Sequence, residues 1–444
     1  MVTRSTSNPG RRFGLRCFAL SMAAGIAAVY FQARIQKSIN EWYDDFSLSQ
    51  TTFKNPGPGR VPVKSNIKFY IIAPPSVTSK LLQDHPDKAS SYYQRALNEE
   101  SAEIWLHRGF ERRTYEEGHT LDPSEADVFL ICGYLHLNKA IHKPKGRGAK
   151  NDLSFVQEFV QLVSNKTKPH LMLIPSWNPQ TSVEAGIKNL SFTLEQQGVN
   201  IWSVGFERNK LWQGVEPQRI LPIPYVIRPS QSKNSLIESA KNPRTKNFIF
   251  YAGDIRKMAG AWAGCHRDQI ILPLQSETDI MDVRLVNKTN RLNQSEYNHR
   301  MISSEYCLIL CGDTPSSRSL TSAMVSGCIP IRVGSRLRGL CEPPCQKGFG
   351  WSKTGAEYPH LPFAQEIDWD MFPEVNEAQV IFHGKQTLQA FLSRTDDARK
   401  NMLRSKMLQV QMAWIYGWGD PVTSTEFGEA VPYIWKSFVK TFNF

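Results

Sequence analysis

Short apolar runs punctuate the chain, separated by longer segments in which apolar residues recur every three or four positions. The first run is IKFYII, Ile67–Ile72. After it comes SSYYQRALNEESAEIWLHRGF, where Tyr93, Leu97, Ile104 and Leu106 stand at helical spacing as core candidates. In DPSEADVFLICGYLHL, Asp122 and Pro123 suit the cap and first position of a short helix, and Val128–Cys132 reads as a strand. HLMLIPSW, His170–Trp177, is a buried-type strand, and RILPIPYVIRP reads as a strand leaving the domain. The polar stretch SQSKNSLIESAKNPRTK then divides the chain, and NFIFYAGDIR opens the second part with a strand and a turn. Strands alternating with helical patterns predict an α/β protein with parallel sheets. Two parts of similar length predict two Rossmann-like domains facing a cleft, over residues 65–235 and 240–400, with a helical segment at 401–444.

The sharpest local pattern is SEYCLILCGDTPSSRSLTSAMVSGCIPI, Ser304–Ile331. Its YCLIL core is apolar throughout, as in a strand covered on both faces. Thr314 suits an N-cap and Pro315 the first helical position. Leu320, Ala323 and Met324 then share one helical face, Gly327 is placed to end the helix in a left-handed conformation, and CIPIRV resumes the sheet. Gly312 lets backbone approach a ligand, the Ser316 and Ser317 hydroxyls and first-turn amides face the carboxyl end of the strand, and Arg318 adds a forked cation. A plain βαβ unit with ordinary caps is the alternative reading of the same residues.

Charge adds a topology. The formal net charge is +12, which favours anionic partners, yet no zinc-finger spacing or Lys/Arg-dense helix points to nucleic acid. Cys17–Phe31 carries no charge; Arg4, Arg11, Arg12 and Arg16 precede it, and Glu41, Asp44 and Asp45 come after it. This predicts a cytosolic tail at 1–12, a signal-anchor at 13–33 and a Pro/Gly-rich stem at 34–64, with the body in a lumen. An Arg/Ser-rich transit peptide is the rival. Eight cysteines leave the disulfide pairing open, with Cys341 and Cys345 in CEPPC able to close a small loop. Asn165, Asn189, Asn287 and Asn293 begin glycosylation sequons.

The Ser304–Ile331 stretch resembles the signature of the exostosin family of glycosyltransferases. LPFAQEIDWDMF, the following NEAQV, the earlier RRTYEEGHTLDPSEADVFLICGYLHL and FYAGDIR with Arg267 resemble further family segments in the same order. The resemblance implies a GT-B fold, a single-pass type II Golgi membrane protein and inverting transfer of a sugar from a nucleotide-sugar donor to a glycan or glycoprotein acceptor. It also implies hetero- or homo-oligomers with related transferases, and no cofactor beyond the donor. The chain departs from the pattern where the family arginine falls on Ser319, one place after Arg318, and where an acidic residue falls on Ser322.

Such a transferase must neutralise a departing diphosphate, and a helix terminus with arginines does this without a metal. Arg267, Gly312, Thr314, Ser316, Ser317 and Arg318 are the donor-binding candidates; Arg332, Arg336 and Arg338 read as surface charge. His136, beyond the strand at 128–132, and Glu377 are the candidate catalytic residues. The Asp368–Asp370 sequence DWD imitates a metal motif but coincides with a family Asp-Trp position, so no metal is expected. A non-catalytic partner of an active transferase is the alternative, motivated by Ser319 and Ser322. A dinucleotide enzyme or serine hydrolase would need G-x-G-x-x-G after a strand or G-x-S-x-G, and neither is present.

Overall fold

The computed structural model describes residues 66–72, 87, 101–134, 160–163, 166–175, 182–206, 215–227, 244, 246–253, 267–285, 292–310, 318–334, 362–363, 366–367, 372–422 and 424–442. All lie in the compact unit Val61–Phe444. The expected anchor and stem, Cys341, Cys345, and Asp368–Asp370 fall outside these residues. Among the described residues no helix is long and apolar enough to cross a membrane.

The elements run β1 (Phe69–Ile72), α1 (Ala102–Glu111), β2 (Val128–Ile131), β3 (His170–Met172), α2 (Ser182–Gln196), β4 (Ile201–Gly205), β5 (Ile220–Pro222) and β6 (Lys246–Gly253). They continue with α3 (Arg267–Leu274), β7 (Met281–Leu285), α4 (Gln294–Ser303), β8 (Ser304–Ile309), α5 (Arg318–Ser326), β9 (Ile329–Gly334) and β10 (Glu374–Asn376). Then follow α6 (Glu377–Arg394), α7 (Asp397–Val410) and α8 (Ala430–Thr441). The strands form two five-stranded sheets, ordered β1-β2-β3-β4-β5 and β10-β9-β8-β6-β7. Every pairing is parallel.

Residues of the N-terminal sheet alternate between its faces, as the two-residue strand period requires. Phe69, Val128, Leu130, Leu171, Leu173 and Val204 join one core cluster, which also holds Trp105 and Phe110 of α1 and Trp435 and Phe438 of α8. Ile72, Phe129, Ile131, Met172, Ile174 and Ile201 line the other face with Leu190 and Leu194 of α2. The chain's last helix therefore covers its first sheet: Phe69 and Trp435 meet edge to face at 4.9 Å. The first cluster continues through Ile249, Phe250, Leu308 and Ile331 of the second sheet, so one apolar core spans both.

Several expectations hold and others change. Leu320, Ala323 and Met324 are buried. Gly327 has φ +69°, a left-handed helix stop that glycine takes without steric cost. The short helix expected at Asp122 does not form. Its carboxylate accepts from Ser124 N at 2.8 Å, making a tight turn, and Lys68 N donates to Asp127 Oδ2 at 2.7 Å to tie the segment to β1. Tyr93 and Leu97 lie outside the described residues, while Ile104 and Leu106 are fully buried in α1. Arg332 is not surface charge: it is 1% exposed in the interior strand β9, opposite its register partner Glu374, with Nη2 3.7 Å from Oε2. The strand is buried throughout from Ile329 to Val333, so the guanidinium has no exposed face to occupy. Arg336 and Arg338 lie outside the described residues.

Candidate functional site

The second sheet reverses direction. Its first strand, β6, pairs with β7 on one side, and the chain then crosses back to add β8, β9 and β10 on the other. The next described helices after β6 and β8 have different surroundings: α3 packs on α6, whereas α5 packs on α4 and on the 3-10 turn Gln411–Trp414. This is the topological switch point at which open α/β sheets hold ligands.

Two of the donor-binding candidates begin described helices that follow β6 and β8 in the chain. Arg267 is the first residue of α3 and half-buried; Arg318 is the first residue of α5 and exposed. Gly312, Thr314, Ser316 and Ser317 lie outside the described residues. Glu377 opens α6 directly after β10, where Asn376 caps the helix by accepting from Gln379 N at 3.1 Å. At roughly 4.8 Å per strand this places its backbone about 10 Å from β8, across β9. His136 lies outside the described residues.

α5 is fixed on several sides. Thr321 Oγ1 accepts from Tyr225 N at 3.2 Å, and Gln411 Nε2 donates to Val325 O at 2.5 Å. Ser319, Ser322 and Arg318 of α5 all lie near enough to the phenol of Tyr297 on α4 to influence its ionisation. Burial is the largest influence on that phenol and raises its pKa; the two serines and Arg318 lower it. At the end of α5, Cys307 of β8 and Cys328 form a disulfide with Cα atoms 5.7 Å apart. It ties the middle of β8 to the residue just before β9, enclosing α5.

The N-terminal sheet shows a different feature at the carboxyl end of β2. Tyr134 has φ +50°, a left-handed conformation that is costly for a bulky residue. Its hydroxyl lies 2.5 Å from Nδ1 of His107 on α1. Burial holds the His107 pKa below the usual imidazole value, and burial holds the Tyr134 phenol and the free Cys132 thiol well above theirs.

Tyr297, Thr321, Tyr134 and His107 escaped the sequence reading. Among the described residues no cluster of three or more His, Cys, Asp or Glu side chains is arranged to hold a metal.

The Exostosin GT47 domain family model matches residues 64–389, which take in both sheets and the switch point. No curated protein matches the chain.

Proposed function

Because the chain belongs to the exostosin GT47 family of glycosyltransferases, we propose that it moves a sugar, with inversion, from a nucleotide-sugar donor to a glycan or glycoprotein acceptor. The observation that carries this is the switch point between β6 and β8, inside the matched region, with Arg267 and Arg318 at the starts of the next described helices after these strands. Leaving-group chemistry needs positive charge near the diphosphate, and two guanidinium groups with first-turn amides supply it without a metal ion. The two-sheet architecture is consistent with a GT-B-like arrangement: donor on the second sheet, acceptor on the first. On this reading His136 or Glu377 takes the acceptor proton, and Gly312, Thr314, Ser316 and Ser317 complete the cradle.

We place the body in the Golgi lumen, behind the anchor expected at 13–33. The Cys307–Cys328 disulfide supports an oxidising compartment.

Titration of the purified protein with the four common nucleoside diphosphates tests the cradle. Arg318→Ala removes one charge-assisted contact worth about 1.5–3 kcal/mol, so binding should weaken by roughly ten- to a hundredfold. Unchanged affinity in that variant, or no nucleotide binding by the parent, overturns the reading.

One observation favours a second reading, a non-catalytic partner of an active transferase. The two positions that depart from the family pattern, Ser319 and Ser322, lie near the phenol of Tyr297. A parent protein that folds, binds no nucleotide and co-purifies with an active transferase would select it.

A further inference from the structure

Two of the glycosylation sequons fall on described elements, and the fold treats them differently. Asn293-Gln294-Ser295 opens α4, whereas Asn189-Leu190-Ser191 is wound into the interior of α2. Asn165 and Asn287 lie outside the described residues.

Asn293 is the N-cap of α4, with φ −67° and ψ 157°, so its backbone is already extended. It is exposed, and so is Ser295. Its side chain caps the helix through one end: Oδ1 accepts from Glu296 N at 2.8 Å. Its backbone carbonyl accepts from Tyr297 N at 3.0 Å. The end that takes a glycan is the amide nitrogen, Nδ2, and a glycosylated amide keeps its carbonyl oxygen. The modified residue therefore retains its capping bond. The first turn behind it is secured by Arg300, whose guanidinium lies 2.9 Å from Glu296 Oε1 and 2.6 Å from Asp282 Oδ2 of β7.

Asn189 is also exposed, but the rest of its sequon is not. Leu190 and Ser191 are fully buried, and Ser191 Oγ donates to Lys188 O at 3.0 Å. Thr193 Oγ1 donates to Asn189 O at 2.8 Å, closing the next turn over it. A glycosylating enzyme reads the asparagine together with the hydroxyl two residues on, so both must be presented at once. At Asn293 this asks only that a helix end fray. At Asn189 it asks that the middle of a helix unwind and a buried leucine leave the core.

We propose that Asn293 is an N-glycosylation site and that Asn189 is passed over. This rests on the placement of the body in a lumen. The donor is an oligosaccharide carried on a lipid diphosphate. A bond forms between Nδ2 and the anomeric carbon, the bond from that carbon to the diphosphate oxygen breaks, and one Nδ2 proton and the lipid diphosphate leave.

The test expresses the full chain in a eukaryotic secretory host. N-glycans are then removed enzymatically in heavy-oxygen water, which converts each glycosylated asparagine to a labelled aspartate, and peptides are compared with a sample incubated without the enzyme. Label should appear at Asn293 in most copies and at Asn189 in few. Ser295→Ala removes the sequon but leaves the cap, and should lose the label at 293 and one glycan step in gel mobility while keeping the parent's urea midpoint. Asn293→Asp keeps a capping oxygen and should show the same loss; it carries the test if Ser295→Ala does not fold. Asn189→Gln should leave the mobility unchanged. Label at Asn165 or Asn287 without label at Asn293 overturns the proposal and leaves the lumenal placement standing. Equal label at Asn189 and Asn293 does the same. If no peptide is labelled, protease added to sealed microsomes separates the two ideas. A protected body overturns this proposal alone, and a body digested without detergent overturns the lumenal placement and this proposal with it.

Discussion

Among the described residues the two sheets have the same strand number and the same parallel sense, but they are wound differently. The described strands of the N-terminal sheet lie in chain order, whereas the C-terminal sheet reverses between β8 and β6. In open α/β sheets such a reversal of strand order is where the crevice at the carboxyl edge lies. Chain-order winding makes no such crevice between its neighbours. The N-terminal sheet instead marks its carboxyl edge with a left-handed tyrosine held by a buried histidine. The sheets are also secured differently. In the second, a disulfide ties β8 to the residue before β9. The first depends on aromatic packing supplied by the far end of the chain, where Trp435 and Phe438 sit fully buried against Phe69, Phe110 and Trp202. Equal architecture therefore does not mean equal function or equal resistance to damage.

The largest effect should come from the packing that the N-terminal sheet borrows. Trp435→Ala opens a cavity against Phe69 and Phe110 and should cost about 3–5 kcal/mol, read as a lower urea midpoint with unchanged slope. A loss below about 1 kcal/mol would mean that α8 is dispensable and the contrast with the second sheet is false.

The disulfide comes next. Its half-cystines are 21 residues apart in sequence, and loop-closure entropy for a segment of that size is worth about 3 kcal/mol. Cys307→Ala with Cys328→Ala should lower stability by about that amount in urea unfolding, and reductant should then have no further effect.

The smallest effect is conditional on pH and sharpens the comparison. His170, buried in β3, stacks on Phe129 with centroids 5.0 Å apart, and its Nδ1–H donates to Lys168 O at 2.9 Å. Burial lowers its pKa to about 4, outweighing that hydrogen bond. Between pH 6.5 and about 4 the unfolded chain carries a proton on this residue that the folded chain does not. Its contribution is therefore complete above pH 6.5 and is lost as the pH falls toward 4. His107, also in the N-terminal half and also lowered by burial, acts in the same sense. His170→Phe should flatten the acid limb of stability against pH; an unchanged limb would remove His170 from the acid weakness of this half.

Legibility in the sequence followed the range of the interaction. The apolar runs at Ile67–Ile72, Val128–Cys132 and Tyr306–Leu310 became β1, β2 and β8, because a parallel strand covered on both faces has to be apolar throughout. The face formed by Leu320, Ala323 and Met324 and the stop at Gly327 were equally visible, since helical period and left-handed φ are properties of adjacent residues. The Asp122 turn was misread even locally: Asp caps helices and closes tight turns with the same carboxylate, and the ties to β1 chose between them.

By itself the sequence determined the family, the parallel α/β class and the strand β8 and helix α5, because these rest on residue types at fixed short spacings. Only the tertiary structure decided the strand order that creates the switch point, the return of α8 to the first sheet, the pairing of Cys307 with Cys328, the burial of Arg332 opposite Glu374 and the nearness of Tyr297 to Ser319 and Ser322. Each joins residues distant in sequence, and no local period encodes such a partner. The partner is selected by which packing buries the most apolar surface while leaving each buried polar group an answering one.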